Sequence, residues 1–193
     1  MTKRTSLKGK LLIAMPNMQG DDFAQSVVFL CEHNRDGAMG LVINKPAPRM
    51  FFDDLVEKLA LAPDSGSIRE EILQIPILLG GPVKQFQGFV LHSTDYLSPK
   101  ESLKISGDFA LTATVDVLRD IALGKGPMRK LLALGYAGWS PGQLEDEIKR
   151  NGWLHCDADT ELVFSGFHEG LHRAALAKIG VDPRMLSADA GHA

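Results

Sequence analysis

The sharpest chemical pattern in the chain is His168-Glu169-Gly170-Leu171-His172. It satisfies HExxH, in which two imidazoles one helical turn apart bind zinc and the glutamate activates water. A catalytic zinc takes three protein ligands and an open position. No glutamate follows Glu169, and the 21 residues after His172 offer only Asp182, Asp189 and His192 as a third ligand. Gly170 also weakens the helix that would hold both rings. His168 and His172 are therefore expected to form an adventitious pair on a partly exposed helix, with no resident metal and no peptidase chemistry.

Cys31 and His33 alternate along one apolar run. Two residues apart on a strand, they share a face with Cβ atoms about 7 Å apart, too far for a thiol-imidazole hydrogen bond unless a bulge intervenes. Redox sensing or nucleophilic catalysis there would require an exposed thiolate of low pKa. His155-Cys156-Asp157 supplies further ligand types but no paired CxxC spacing. Gly124-Lys125-Gly126 lacks the glycine spacing and the Ser or Thr of a P-loop, and no GxSxG elbow occurs. Gly135 to Gly142 does lead from a strand into a helix N-terminus, where amides can hold an anion, but Glu145, Asp146 and Glu147 follow it.

The remaining candidates are polar and turn residues at strand ends: Met15 and Pro16; Cys31, Glu32, His33 and Asn34; Asn44, Lys45 and Pro46; Gly80 and Gly81; and His92. Turn geometry accounts for the glycines and prolines but not for Glu32, His33 and Lys45. Together the twelve mark a candidate ligand-binding cleft.

The elements that must position these residues follow from periodicity. Leu11 to Met15 and Ser26 to His33 are apolar on both faces, like strands in a covered sheet. Asn34 to Gly37 then turns the chain into a returning strand, Gly40 to Asn44, which Pro46 and Pro48 stop. Phe52, Leu55, Val56 and Leu59 share one face of a helix over 51–61. Ile75 to Leu79 and Gly88 to His92, joined through Gly80-Gly81-Pro82, read as a hairpin or a sheet corner. A loop with a short strand near Leu103 to Ile105 follows. Next come a helix capped by Thr114 and closed by Gly124, and a strand from Leu131 to Tyr136. Ser140-Pro141-Gly142-Gln143 reads as a capping box opening a helix over 143–150. Leu162 to Phe164 is expected as a last strand, and Leu171 to Ile179 as a last helix closed by Gly180.

Composition excludes several classes. The 193 residues are 45% apolar and 23% charged, which suits one folded domain. The formal net charge is −3, and Lys3, Arg4, Lys8 and Lys10 sit in the first ten residues, so the body is more acidic still. That balance gives no electrostatic footprint for nucleic acid or an anionic membrane. The apolar run 11–15 is too short for a signal peptide, and no stretch approaches the ~18 residues of a membrane span. Two cysteines 125 residues apart do not suggest a secreted disulfide scaffold, which points to a reduced cytoplasm.

Several blocks resemble the YqgE/AlgH family: LLIAMP (11–16), SVVFLCEHNRDGAMGLVINKP (26–46), GGPV (80–83), GFVLH (88–92), LGYAGWSPGQLEDEI (134–148), NGWL (151–154) and the terminal AGHA. They run in order over nearly the whole chain. The resemblance implies a compact bacterial cytoplasmic protein with a surface cleft near CEHN and NKP, and in one branch a role in regulating transcription of alginate biosynthesis genes. It names no reaction and no mechanism. Family members often carry Trp where His172 stands, which makes HExxH a local substitution here.

The expected molecule is an α+β single domain over 1–193, with a mixed, largely antiparallel sheet or partial barrel flanked by about four helices. Residues 1–8 are expected as a basic arm and 182–193 as an extended tail. The expected function is non-catalytic regulation or interaction, through a small ligand or a protein held in the cleft, without a cofactor. Direct DNA binding is not expected, because no helix-turn-helix with a basic second helix occurs.

Overall fold

The computed structural model describes residues 6–16, 18, 22–64, 66–98 and 100–186. The chain opens with β1 (Lys10–Ala14), β2 (Val27–Asn34) and β3 (Gly37–Val42), an antiparallel meander. Then come β4 (Pro46–Phe51), α1 (Phe52–Lys58), α2 (Glu70–Leu73), β5 (Pro76–Leu79) and the long β6 (Val83–Ser93). The second half holds β7 (Ser102–Lys104), β8 (Phe109–Thr112), α3 (Val115–Ala122), β9 (Lys130–Trp139), α4 (Gln143–Lys149), β10 (Trp153–Asp157), α5 (Thr160–Val163) and α6 (Leu171–Lys178). A 3-10 turn at Pro183–Met185 ends the described chain.

The strands form one curled sheet, a half-barrel in the order β10-β1-β2-β3-β9-β6-β8-β7. Its neighbours in that order are antiparallel. β9 is long enough to take two partners on one edge: β3 opposite Ala137–Trp139 and, in parallel, β5 opposite Leu132–Leu134. β6 occupies its other edge. Ile75 to His92 is therefore a sheet corner and not a hairpin, since β5 and β6 straddle β9 without pairing with each other.

Strict alternation builds the core on both sides of the sheet. Leu11, Ile13, Val27, Phe29 and Cys31 point to the inside of the curl, where Phe89, Leu91, Phe109 and α6 close it. Leu12, Ala14, Val28 and Leu30 face outward beneath α4. Farther along, Ile77, Val90 and Leu132 face outward beneath α1, α2 and α3.

The corner depends on backbone meeting backbone. A Cβ on Gly81, whose φ is +148°, would lie 2.2 Å from the Tyr136 carbonyl carbon. One on Gly135, at φ +72°, would lie 2.4 Å from the Gly81 oxygen. Only glycine at both positions lets the β5–β6 crossover press on β9.

Several expectations change. Pro46 does not stop a strand but opens β4, an edge strand paired only with β5 among the described residues, where a missing N–H is tolerated. β8 and β10 were not anticipated. Leu162 to Phe164 is not a strand: Asp159 accepts the Leu162 N–H at 2.8 Å and starts α5. Ser140 is not the cap of α4. Its N–H does donate to Gln143 Oε1 at 3.0 Å, but the helix starts after Gly142, at φ +80°. Among the described residues the α-helices number six, two of them only four residues long. The basic start is anchored by residue 6, for Ser6 Oγ donates to the His33 carbonyl at 2.8 Å and Leu7 is buried; residues 1–5 lie outside the described residues. So do 187–193, including AGHA, while 182–186 adopts the 3-10 turn.

Candidate functional site

A cleft of about 660 Å³ opens between α1 and α3 over the outer face of the sheet. Its floor is Val90 of β6 and Leu134 of β9, with Leu118 of α3 beside them. Met50 of β4, Leu55 of α1 and Leu59 at the end of that helix form one wall; Thr112, Ala113, Thr114 and Val115 form the wall leading into α3. Leu79, Gly81, Pro82 and Gly88 complete it from the corner, and Asp22, Lys45 and Lys58 are the charged residues of the lining.

Phe86 overhangs the mouth at 99% exposure. Its position comes from register. Val83 pairs with Tyr136 and Gly88 with Leu134, so four residues of β6 bulge opposite the single Gly135. Lys84 takes φ +47° to start the bulge. The rim also leaves Leu59, Leu79 and Val115 between 41% and 48% exposed, an apolar patch of the kind that marks a binding surface.

Behind the Thr112 wall lies a buried polar chain. His92 is fully buried, with Nδ1 donating to the Ser93 carbonyl at 2.9 Å. Because a carbonyl only accepts, Nδ1 holds the proton of the neutral ring, and Nε2 accepts from Thr112 Oγ1 at 2.8 Å. Ser102 Oγ lies 2.8 Å from the same hydroxyl. Burial lowers the His92 pKa. Tyr96 packs edge-on against this ring and donates to Asp120 at 2.8 Å; burial and that carboxylate push its pKa up to about 12.

Of the twelve residues anticipated for a cleft, Lys45 and Gly81 line it. The other ten are placed elsewhere. Cys31 is the bulge residue between Leu30 and Glu32, and that bulge reverses the alternation. Cys31 thus faces the inner core, while His33 faces Leu7 and α4 on the other side. The two do not share a face. Cys31 is buried and burial pushes its thiol pKa up, away from the exposed thiolate of low pKa that such chemistry requires. His33 Nδ1 accepts the Leu7 N–H at 2.9 Å, and its Nε2 lies 3.6 Å from Glu145 Oε1. Asn34 binds Glu32 and caps the hairpin through the Asp36 N–H. Asn44 ties Val27 to Gln25, and Met15 donates to Gly152. Pro16 and Pro46 are exposed, and Gly80 bonds Leu134 and Val42.

His168 precedes α6, so the HExxH residues do not lie on one helix. His168 Nδ1 donates to the Ile43 carbonyl at 3.2 Å and His172 Nε2 to the Ala14 carbonyl at 2.8 Å. No three His, Cys, Asp or Glu side chains gather as a metal site among the described residues.

The sequence signal that could have located the cleft is the α1 face itself. Phe52 is buried in the core, while Leu55 and Leu59 on the same face line the cleft. Phe86, between Gln85 and Gln87, carried no periodic signal at all.

Curled sheet, straddled β9 and outer cleft define an α+β half-barrel with its concave apolar site beneath helices. Residues 11–184 match the family model described as AlgH-like, DUF179. A UPF0301 protein of Ruegeria pomeroyi is 51% identical over 187 residues, covering 97% of this chain and 99% of that one. Another from Rhodopseudomonas palustris is 50% identical over 189 residues, covering 97% and 87%. The solution structure of AlgH from Pseudomonas aeruginosa matches at TM-score 0.77 and 44% identity, over 100% of this chain and 99% of that one. A Corynebacterium diphtheriae crystal structure shares the fold at TM-score 0.74 and 17% identity, over 97% and 94%. The chain belongs to the AlgH/YqgE family. Among the described residues, no helix is long and apolar enough to cross a membrane.

Proposed function

We propose that this protein works by binding and not by catalysis, as a cytoplasmic regulatory or interaction protein whose state is set by what occupies the α1–α3 cleft. The observation that carries this is the cleft itself: about 660 Å³, inside the ~300–1,000 Å³ range of ligand sites, with a floor of Val90, Leu118 and Leu134. The groups able to do chemistry support it from the other side. Cys31 is sealed in the core, and the imidazoles of His92, His168 and His172 each donate to a backbone carbonyl. Any effect on transcription is then indirect. Within the described start of the chain, Leu7 is buried and Lys10 is paired with Asp157, which supports that reading.

Native mass spectrometry of untagged protein purified from cells tests the proposal against a blocked cleft. Gly88→Phe suits the purpose, since a Cβ at Gly88 meets nothing within 4 Å. The expected result is a bound species retained by the wild type and lost by the variant. Retention of that species by a folded Gly88→Phe protein would place the binding elsewhere.

A further inference from the structure

We infer that the cleft, if it is the binding site proposed above, takes a single anionic amphiphile: an unbranched acyl chain ending in a carboxylate. Burial grades from a dry floor to a wet rim. Val90 and Leu118 are buried, whereas Leu59, Val115 and Phe86 at the mouth are exposed. Such a gradient suits a molecule that is apolar along its length and polar at one end.

Apart from Gln85, which is exposed, the uncharged polar side chains of the walls are already bonded. Thr112 is committed to His92 and Ser102, and Thr114 donates to Glu101 at 3.3 Å. A sugar or nucleobase lodged there would lose its hydrogen bonds to water without replacement, whereas a methylene chain loses none.

Charge specifies the end. The chain carries a net −3, yet the charged lining is Lys45 and Lys58 against Asp22 alone. Lys45 is held by the Asp22 carbonyl at 2.7 Å. Lys58 is exposed in the last turn of α1, beside Leu59. Its ammonium is the group placed to meet a carboxylate whose tail runs down to Leu134. Concavity favours one free amphiphile over a bilayer, which a flat or protruding apolar surface would suit better.

The test is a titration of the full chain, followed by amide NMR shifts, with octanoate, decanoate and dodecanoate kept below micelle formation, and with decanol as the uncharged control. Kd is expected to fall about four-fold per added methylene. Lys58→Glu is expected to raise the decanoate Kd about ten-fold and leave decanol unchanged. Ala113→Trp, at an exposed cleft position, should abolish binding of both.

Equal weakening of acid and alcohol by Lys58→Glu, or no dependence on chain length, would overturn the proposed class. So would sedimentation with phosphatidylglycerol-phosphatidylcholine vesicles in place of decanoate binding, or a dimer that Ala113→Trp dissociates and decanoate does not. The two proposals fail separately. If Gly88→Phe loses a cellular species that decanoate cannot displace, the cleft stands and the acyl class falls. If decanoate binds Ala113→Trp and Gly88→Phe as tightly as wild type, the cleft itself falls.

Discussion

Glu147 joins the two tryptophans of the protein, and removing it should uncouple α4 from the sheet. Its Oε2 accepts from both Trp139 Nε1 and Trp153 Nε1 at 2.8 Å, while Oε1 accepts from Gln143 Nε2 at 2.9 Å. The indoles pack edge-on with centroids 5.9 Å apart, and Phe23 covers both. Both tryptophans are buried, so Glu147→Ala strands two N–H donors at about 1–3 kcal/mol each. Glu147 is itself only half-buried, and water entering the vacated space recovers part of that. The expected loss is about 2–4 kcal/mol. Glu147→Gln keeps one acceptor oxygen and gives up the charge, at a cost of about 1–2 kcal/mol.

Urea unfolding measured by tryptophan emission reads this clamp directly, because the protein has no other tryptophan. The midpoint of Glu147→Ala should fall by about 1–2 M. Trp139→Phe in that background should cost less than in the wild type, since the donor it removes has already lost its acceptor. A Glu147→Ala midpoint within about 0.3 M of wild type, with additive effects of the two substitutions, would refute the clamp.

Gly81→Ala should fail to accumulate as folded protein, or melt far lower, because its methyl would overlap Tyr136. Gly88→Ala, facing open space, should melt within a few degrees of wild type; equal melting of the two would refute the corner geometry. The folded state depresses the His92 pKa, so the unfolded chain binds its proton more readily. This histidine's contribution is fully present above about pH 6.5 and lost as pH falls through the folded value. Urea midpoints at pH 7.5, 6.5 and 5.5 should decline more steeply for wild type than for His92→Asn, and parallel profiles would contradict this. Cys31 and Cys156 are both buried with raised pKa values, so a maleimide should label neither thiol in the native state within minutes and both in urea. Rapid native labelling of Cys31 would reopen it as a reactive thiol.

Sequence patterns located elements whose burial is regular and failed where pairing decided. β1 and β2 were legible because Leu11 to Ala14 and Val27 to Cys31 are buried on both faces. α6 and its closure at Gly180, φ +72°, followed from periodicity and from the left-handed residue at its end. β10 was not legible: Trp153-Leu154-His155-Cys156-Asp157 mixes polar with apolar residues and is a strand because β1 pairs with it. The bulge at Cys31 had no local signature either. It moved His33 to the opposite face and dissolved the thiol-imidazole pair that alternation suggested. The α1–α3 cleft was not legible for a related reason. The polar strand-end residues suggest a lining, but in the structure Glu32 and Asn34 bond each other and Asn44 satisfies nearby backbone.

That division of labour bears on what membership of the family can mean for function. The blocks that carry the resemblance build the architecture, His33 and Asn34 holding residue 7 and the hairpin, Gly80 and Gly81 the crossover, Trp139 and Glu147 seating α4, and they also supply the cleft floor, Val90 and Leu134. Much of the cleft is drawn from other stretches, from Leu55, Lys58 and Leu59 on α1, from Val115 and Leu118 on α3, and from Phe86 in the bulge of β6. A relative can keep every one of those blocks, and with them the half-barrel, while changing what the cleft accepts. Shared motifs therefore predict a shared scaffold. On the proposed reading, an occupant has to be read from α1, α3 and the bulge together with the floor beneath them, and in this protein they present an aliphatic trough with Lys58 at its edge.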